Sequence, residues 1–439
     1  MSAMDNMIKN EVDKTLTPKI SVSKKSKAIS LILLILVGTF TNYIYVLTVY
    51  VQPLSEYHGW SMNMIVMAFS VSYVVMIPAY AVSGWVSAKF GMKKILAVSA
   101  AAYGLSILLS GLVTSVYLFI FFMGVLSSFA MYGVFMASLM LINILFPDIK
   151  GTAMGLLYGF QTLGAAAFSP LANFFIMNYS VKTALIIQGI AFTVVMLVCS
   201  LFVKDPTGGD KELMMRMQQQ ADEEEKADAL SGKAEPPSLR WKSSLKHKGV
   251  WLLVISIILI QMFGNVLASD MTYLATTHYN ATTTAAAFLT TVFSVAAAVG
   301  AIVIGIVSDK IGPYKTTFLL GIIDGILLLI LAFAGADSFT LFIVMASIQG
   351  FTYNGMCTIN PVIITDTFHF EDMGAMMAIT GVAFTIVAII GPQMGLSLSF
   401  VPMLIVCAVC SIAGGFLTKY AGTAFNKYYK LIGSKCRVK

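Results

Sequence analysis

The chain has 439 residues, of which 58% are hydrophobic and 11% are charged, with a net charge of +7 and a mean hydropathy of +0.84. Soluble domains carry about 25% charged residues, so these values exclude a water-soluble globular protein and indicate a chain solvated by a lipid bilayer. The basic residues are not interleaved with aromatic side chains, and we therefore expect no nucleic-acid partner.

Apolar runs of about 20 residues, each long enough to cross a bilayer core of about 30 Å, recur along the whole chain. Residues 1–28 are polar and are predicted to form an amino-terminal tail, 204–248 a charged linker that is partly helical around 211–230, and 422–439 a basic carboxy-terminal tail. The twelve predicted spans divide into an amino-terminal bundle (29–203) and a carboxy-terminal bundle (249–421). They are 29–51, 63–83, 95–113, 117–145, 152–177, 183–203, 250–276, 285–307, 317–335, 339–364, 374–396 and 400–420.

The distribution of basic residues predicts the orientation in the membrane. An even number of spans puts both termini on one side, and with that side cytoplasmic, 27 of the 28 Lys and Arg residues lie in cytoplasmic segments and only Lys182 lies outside. Basic residues are retained on the cytoplasmic side. We therefore predict a multi-pass protein of a bacterial-type cytoplasmic membrane with both termini inside, and an uncleaved first span because no small-residue cleavage site follows it.

Related sequences occur in the two halves. The stretch Gly-Trp-Val-Ser-Ala-Lys-Phe-Gly-Met-Lys-Lys at 84–94 aligns with Gly-Ile-Val-Ser-Asp-Lys-Ile-Gly-Pro-Tyr-Lys at 305–315, an offset of 221 residues (305 minus 84). Two weaker matches have nearly the same offset: Gly159 and Pro170 match Gly381 and Pro392, and Phe40 and Asn42 match Phe263 and Asn265. Such an internal repeat in an apolar chain is typical of secondary transporters.

The motif at 305–315, placed between two spans, resembles the major facilitator superfamily. The text Pro53-Leu54 followed by Gly59-Trp60-Ser61, and the glycine series from 151 to 164 before Ser169-Pro170, resembles its oxalate:formate antiporter and monocarboxylate porter branch. This resemblance implies an all-α membrane protein with two pseudo-symmetric six-helix bundles, a monomer that moves a small carboxylate by alternating access. Small residues at four-residue spacing also suit close helix packing in lipid, and we interpret the glycines in this way.

One position departs from that branch. Its members carry an Arg in the eighth helix in text like Gly-Arg-x-x-x-Gly, whereas this chain has Gly300-Ala301 there, and no Lys or Arg stands in the central part of any span. A buried dianion needs a fixed cation to offset its lost hydration. The sequence therefore predicts a monocarboxylate or related organic acid, moved by proton symport or solute exchange, and disfavours oxalate.

Neutral polar side chains in the spans are the candidates for substrate binding. In the superfamily the cavity is lined by the first, fourth, seventh and tenth spans, with support from the second, fifth, eighth and eleventh. Isolated amides and hydroxyls in membrane helices also serve simply to bond neighbouring helices, so each candidate has a structural alternative. The candidates on these spans are Asn42, Tyr45, Tyr73, Tyr132, Gln161, Gln261, Asn265, Thr290, Ser294, Tyr353 and Asn354.

Charged residues at the motif and inside the spans are the candidates for gating or coupling. The resemblance places Asp309 at the start of the fifth helix, whose free N–H groups attract a carboxylate, with Lys310 beside it and Lys89 in the other copy. Asp270 and Asp324 lie within spans, where an ionisable group is a functional candidate by default. The alternatives are a wet outer mouth for Asp270 and a structural hydrogen bond for Asp324.

No enzymatic motif is present in the sequence. It contains no G-x-S-x-G, H-E-x-x-H or phosphate-loop pattern, and Cys407 and Cys410 stand in an apolar span without a partner pair, so we expect no enzyme activity, cofactor or metal. The energy source is then a gradient or an exchanged solute. Two other hypotheses remain open: efflux of a larger apolar or cationic compound, and a non-transporting membrane sensor built on the same fold.

Overall fold

The computed structural model describes residues 23–205, 244–334, 338–368 and 372–431. Within these ranges the chain forms twelve long helices, one for each predicted span. The helices are α1 (Lys24–His58), α2 (Met62–Phe90), α3 (Met92–Ser110), α4 (Val116–Leu145), α5 (Lys150–Asn178), α6 (Val181–Phe202), α7 (Lys248–Thr277), α8 (Thr283–Ile311), α9 (Pro313–Ala334), α10 (Phe339–Thr367), α11 (Met373–Ser397) and α12 (Phe400–Leu431).

Eleven of the described helices are long and apolar enough to span a membrane. The remaining one, α10, is long enough but carries amide side chains along its length, including Gln349, Asn354 and Asn360. Several helices run past the predicted ends: α12 continues to Leu431, so the first part of the predicted carboxy-terminal tail is helical. The predicted helical part of the linker, 211–230, lies outside the described residues.

The internal repeat is visible in the backbone of the two halves. Gly91 and Gly312, which align in the sequence, both have positive φ angles of 98° and 90° and both end one helix just before the next begins. Only glycine adopts such angles without strain. The α2–α3 and α8–α9 turns therefore have the same geometry because the same residue occupies the same place in each repeat.

Two of the helix pairs that join the halves are related by the repeat. Helix α5 packs along α8, and α2 packs along α11, which are equivalent contacts when each half is counted from its first helix. Within the halves, α3 packs on α6 and α9 packs on α12, again at equivalent places. The structure is thus two pseudo-symmetric six-helix bundles, and large apolar side chains such as Trp85, Val98 and Phe333 face outward, where lipid would cover them.

Candidate functional site

Helix α1 is broken in the middle of its span. Its two α-helical parts, Lys24–Thr39 and Leu47–His58, are joined by a 3₁₀ turn at Thr41–Val46, inside which Asn42 leaves helical geometry with φ −88° and ψ 22°. A break frees backbone groups that lipid cannot satisfy, so it is tolerated only where protein or water replaces the lost bonds. The polar groups around the turn are therefore the place to look for a site.

A buried tyrosine holds this turn open. The Tyr103 hydroxyl on α3 donates to the carbonyl of Thr41 over 2.6 Å and accepts from the backbone N–H of Tyr43 over 3.1 Å. The Gln161 amide on α5 adds a 2.7 Å bond to the Thr41 hydroxyl. The freed backbone groups are thus satisfied by side chains, and Gln161, predicted as a substrate ligand, is positioned as a support for the turn.

Sequence analysis missed the polar cluster behind the turn. The Tyr43 and Tyr50 hydroxyls lie 2.6 Å apart, and both donate toward the Gln188 side-chain oxygen on α6, from Tyr50 over 2.8 Å. All three side chains are buried. The seven-residue spacing of Tyr43 and Tyr50, which puts them on one helix face, is the signal from which this cluster was predictable.

Tyr45 marks the cleft between the halves. It lies in the middle of α1, yet 44% of its surface is exposed, and its hydroxyl lies 3.3 Å from that of Tyr73 on α2. Tyr45 also lies within electrostatic range of Tyr353 and Cys357 on α10 of the other half. A half-exposed side chain between two bundles at mid-membrane depth indicates a cleft that reaches this level.

The opposite wall of the cleft is built from α7 and α10. Gln261 and Asn265 stand one turn apart on α7, and the Asn265 amide donates to the Gln261 carbonyl over 3.2 Å. The Gln261 amide nitrogen lies 3.5 Å from the Cys357 sulfur, while its side-chain oxygen has no partner. The Tyr353 ring packs against Gly264, between these two amides. Three predicted binding residues of this wall and the two predicted tyrosines of α1 and α2 are thus brought to one region.

Tyr132 and Asn354 occupy the inner end of this region. The Tyr132 ring on α4 is buried and lies edge-to-face with Tyr80 on α2, with ring centroids 4.8 Å apart. The Asn354 amide on α10 donates to the Thr162 hydroxyl on α5 over 2.9 Å and to the Ala297 carbonyl over 3.0 Å. Asn354 therefore joins the two halves at the base of the cleft, which its sequence position alone did not indicate.

The two halves are closed against each other on the side of the chain termini. Gly151, Gly155 and Gly159 of α5 face backbone atoms of α8 so closely that a side chain at any of them would collide with α8. On the other pair, a methyl group at Gly84 would lie 2.5 Å from the Cα of Gly374. The interpretation of the glycines as packing positions is confirmed for this interface, and the flanking segments 130–142 and 358–365 are buried.

Polar contacts reinforce the closed side. The Asp309 carboxylate at the end of α8 accepts from the N–H groups of Gly151 and Thr152, each over 2.7 Å, and from the Thr152 hydroxyl over 2.6 Å. These are free N–H groups at the start of α5, where a negative charge is stabilised by the helix dipole. An ion pair between Lys150 and Asp366, 2.8 Å long, lies at the same level.

Beyond mid-membrane the halves separate. The glycine contacts of α5 with α8 end at Gly159 with Ala298, and on α2 and α11 the Thr385 hydroxyl donates to the Tyr73 carbonyl over 3.0 Å. Further along α5 and α11, Gly164 packs on Thr39 and Gly391 packs on Asn265, each within its own half. The cleft is therefore closed on the terminal side and open on the other, which we call the far side.

The remaining candidates lie away from the cleft wall or contact only their own helix. Lys310 is exposed, and the Lys89 ammonium lies over the ring of Trp85 at 4.9 Å. The Thr290 and Ser294 hydroxyls bond carbonyls of their own helix. The side chain of Asp270 lies outside the described part of the structure. Asp324 is buried inside the carboxy-terminal half, between α9 and α10.

A two-bundle membrane protein with a central cleft that is open on one side has the architecture of a secondary transporter. The family comparison agrees with this class: the model of the Major Facilitator Superfamily matches residues 31–275 and 253–427. The chain belongs to the Major Facilitator Superfamily.

Solved structures share this fold at low sequence identity. The Escherichia coli fucose:proton symporter FucP, in a variant form, aligns with a TM-score of 0.66 and 16% identity over 90% of this chain and 99% of its own. The proton:xylose symporter XylE, bound to 6-bromo-6-deoxy-D-glucose, aligns with a TM-score of 0.65 and 16% identity over 95% and 99%. FucP in its outward conformation aligns with a TM-score of 0.63 and 16% identity over 90% of this chain and 99% of its own. No curated protein sequence matches the chain.

Proposed function

We propose that the protein moves a small organic solute across the membrane by rocking its two halves about the central cleft, and that the solute is a monocarboxylate or related organic acid. The observation that carries this proposal is the exposed Tyr45 at mid-membrane depth, facing Tyr73 and the α7 and α10 wall. Tyrosine hydroxyls and side-chain amides donate hydrogen bonds to a carboxylate, and a few such groups in an apolar wall orient a small ligand.

The absence of a fixed positive charge limits the charge of the solute. The sequence has no Lys or Arg in the central part of any span. Several hydrogen-bond donors offset part of the desolvation of a single negative charge, but a dianion would lack the cation that its burial requires. We therefore propose a monoanion rather than a dianion as the solute. It moves by proton symport or by exchange, and both chain termini lie on the cytoplasmic side of the membrane.

An uncharged solute such as a sugar is the second candidate. The same uncharged wall favours it, because tyrosine rings and amides suit a hydroxylated ligand that brings no charge into the membrane. The structural neighbours named above are proton symporters of fucose and xylose, although at 16% identity they share the fold and not a demonstrated site.

Counterflow into proteoliposomes tests the proposal. The purified protein is reconstituted and preloaded with formate, acetate, lactate, pyruvate, oxalate, glucose or fucose, and entry of the same labelled solute is followed. Counterflow of a monocarboxylate supports the first candidate, counterflow of a sugar supports the second, and binding without flux would make the protein a sensor.

A matched pair of variants ties the flux to the cleft. Tyr45→Phe removes only the hydroxyl that faces Tyr73, whereas Tyr57→Phe makes the same change at the exposed far end of α1. We expect the first variant to raise the solute concentration needed for half-maximal flux by roughly tenfold, the value of one hydrogen bond to a charged group, and the second to leave it unchanged.

A further inference from the structure

A carboxyl group that is not part of the cleft lies deep inside the carboxy-terminal half. Asp324 stands eleven residues along α9, about 16 Å from its first residue, and is 3% exposed. Helix α9 packs mainly on α12 and α10. The flanking Gly321 and Gly325 let α12 approach, since a methyl group on either would lie 2.8 Å from an α12 carbonyl oxygen.

Three polar side chains surround this carboxyl. The Thr352 hydroxyl on α10 lies 2.6 Å from one Asp324 oxygen. The Gln349 amide and the Ser411 hydroxyl also face the carboxyl, but neither reaches hydrogen-bonding geometry, although they are only 1% and 2% exposed. Buried polar groups are normally satisfied, so this cluster has an arrangement with incomplete hydrogen bonding in the state described.

No basic side chain neutralises Asp324 on the helices that pack against it. The titratable groups on the matching stretches of α12 and α10 are Cys407, Cys410, Tyr353 and Cys357, which are neutral when protonated. The charged residues are further off: Lys315 at the start of α9, Asp309 and Lys310 at the end of α8, Asp366 at the end of α10, and Lys419 and Lys427 on α12.

An unpaired carboxylate at this depth is strongly disfavoured. Binding a proton removes the charge, so the buried Asp324 side chain is stabilised in its protonated form. A metal ion between Asp324 and Thr352 is excluded by their 2.6 Å separation, which is the length of a direct O–H···O bond. The cluster is thus suited to hold one proton, and Asp324 is its only carboxyl within the described residues.

The cluster is linked to the cleft through consecutive residues of α10. Thr352 holds Asp324, the next residue, Tyr353, lies in the cleft wall, and Asn354 bonds Thr162 of the other half. Rocking of the halves breaks the contact between Asn354 and Thr162, and a shift of α10 against α9 at that moment changes which hydroxyl and amide groups reach the carboxyl. This geometry joins the protonation of a group outside the cleft to the relative position of the halves.

We propose that Asp324 is the proton-binding site through which solute movement is coupled to the proton gradient, a proposal that rests on the transport function proposed above. Asp324 is protonated while the far side is open. When the halves rock, α10 shifts so that Gln349 joins Thr352 in donating to the carboxylate, which stabilises the charged form, and the proton leaves to water on the terminal side. The carboxylate takes up a proton from the far side once that side has reopened, so that one proton moves from the far side to the terminal side with each cycle.

Proteoliposomes with an internal pH dye test this assignment, using the panel solute that gives the fastest counterflow. Asp324→Asn, which keeps the shape but cannot release a proton, is expected to retain counterflow and to lose both gradient-driven accumulation and solute-induced acidification of the lumen. Absence of counterflow in the wild type would refute the transport function itself. Wild-type counterflow without proton movement, or proton-driven accumulation by the Asn variant, would overturn the assignment to Asp324.

A second pair of variants serves if the Asn variant does not fold. Thr352→Val keeps the carboxyl and removes its partner, whereas Thr418→Val removes a buried hydroxyl that bonds Ser256 across α7 and α12 over 3.0 Å, away from any carboxyl. We expect Thr352→Val to move the pH of half-maximal uptake by about one unit and Thr418→Val to leave it in place. An unchanged pH profile in Thr352→Val would overturn the assignment.

Discussion

At the scale of single residues, Asp309 is the group whose place the sequence predicted most closely. The resemblance of its motif to the major facilitator superfamily implied its partner at the start of α5, and the free N–H groups there explain why a carboxylate is stable at that place. The positions of the Asp324 and Asn354 side chains in the fold could not be predicted from the sequence. A side chain in the middle of a span points to lipid, to its own bundle or to the other half according to helix rotation, which hydropathy does not encode.

Asp309→Asn is expected to weaken the closed state of the terminal side. The amide keeps one acceptor oxygen but loses the charge and turns an NH₂ group toward the N–H groups of Gly151 and Thr152. A charge-assisted hydrogen bond is worth about 1.5–3 kcal/mol, which shifts the ratio of closed to open molecules by roughly ten- to hundredfold. Uptake by proteoliposomes should fall, and more than it changes in Ala88→Asp, the equivalent position in the other repeat. Equal, small effects would contradict this.

His247 gives the structure a pH dependence outside the membrane spans. Its ring nitrogen accepts from the Gly249 N–H over 3.2 Å at the start of α7, and burial, with a smaller effect of Lys248, lowers the pKa of the imidazole below its ordinary 6.5. The folded state thus favours the neutral ring. The resulting stability is present above about pH 6.5 and is lost as the pH falls through the lowered pKa.

Thermal unfolding of the purified protein between about pH 8 and about pH 5 measures this effect. His247→Asn keeps a hydrogen-bond acceptor at the cap but does not titrate, so its melting temperature should fall less on acidification than that of the wild type. Parallel curves for the two proteins would show that His247 is not the group responsible.

At the scale of helices, the break in α1 is the feature that organises the site. The twelve helices themselves were predictable from apolar runs, but the break was not, because Thr41–Val46 contains no proline or glycine and the preceding Gly38 is still helical. What stabilises the break is tertiary: the Tyr103 hydroxyl from α3 and the Gln161 amide from α5. Such a contact between distant segments has no signal in local sequence.

Tyr103→Phe should therefore destabilise α1 selectively. The change removes the donor to the Thr41 carbonyl and the acceptor for the Tyr43 N–H, leaving two buried backbone groups unsatisfied at about 1–3 kcal/mol each. The melting temperature and the flux should both fall. Tyr80→Phe is the matched control, because Tyr80 is equally buried and its hydroxyl makes no hydrogen bond within the described structure; a similar loss in the control would contradict this role of Tyr103.

The interface of α2 with α11 predicts a contrast between two glycines. A methyl group on Gly84 would lie 2.5 Å from the Cα of Gly374, whereas one on Gly381 would meet nothing nearer than 3.6 Å, at the Tyr80 ring. Overpacking costs about 1–3 kcal/mol, and in Gly84→Ala this cost falls on the closed terminal side. Gly84→Ala should slow counterflow, and Gly381→Ala should not; the reverse order would show that the two helices do not meet in this way during transport.

At the scale of the whole molecule, the repeat in the sequence predicted the two bundles, and the backbone equivalence of Gly91 and Gly312 bears this out. The state of the cleft was not predictable. Which side is open depends on a small difference in free energy between two sets of contacts made by the same residues. Because one sequence must form both states, it does not indicate which of them is described.

For the whole molecule we predict that the far side closes when the transported solute binds. Spin labels at Tyr57 and Thr277, exposed at the far ends of α1 and α7, should move closer together when the transported solute is added, as read by electron–electron distance measurements. Labels at Tyr57 and Tyr179, both in the amino-terminal half, should keep their separation. A constant distance in the first pair would rule out rocking of the halves.

The glycine contacts of α5 with α8 have a consequence for how such proteins diversify. Closure there is made largely by backbone atoms meeting backbone atoms, and Asp309 accepts from two backbone N–H groups and the Thr152 hydroxyl. These contacts between α5 and α8 involve none of the side chains proposed to bind the solute. Substitution of a few tyrosines and amides in the cleft would change which solute binds and would leave these closing contacts unchanged, so the same conformational change is able to transport many different solutes.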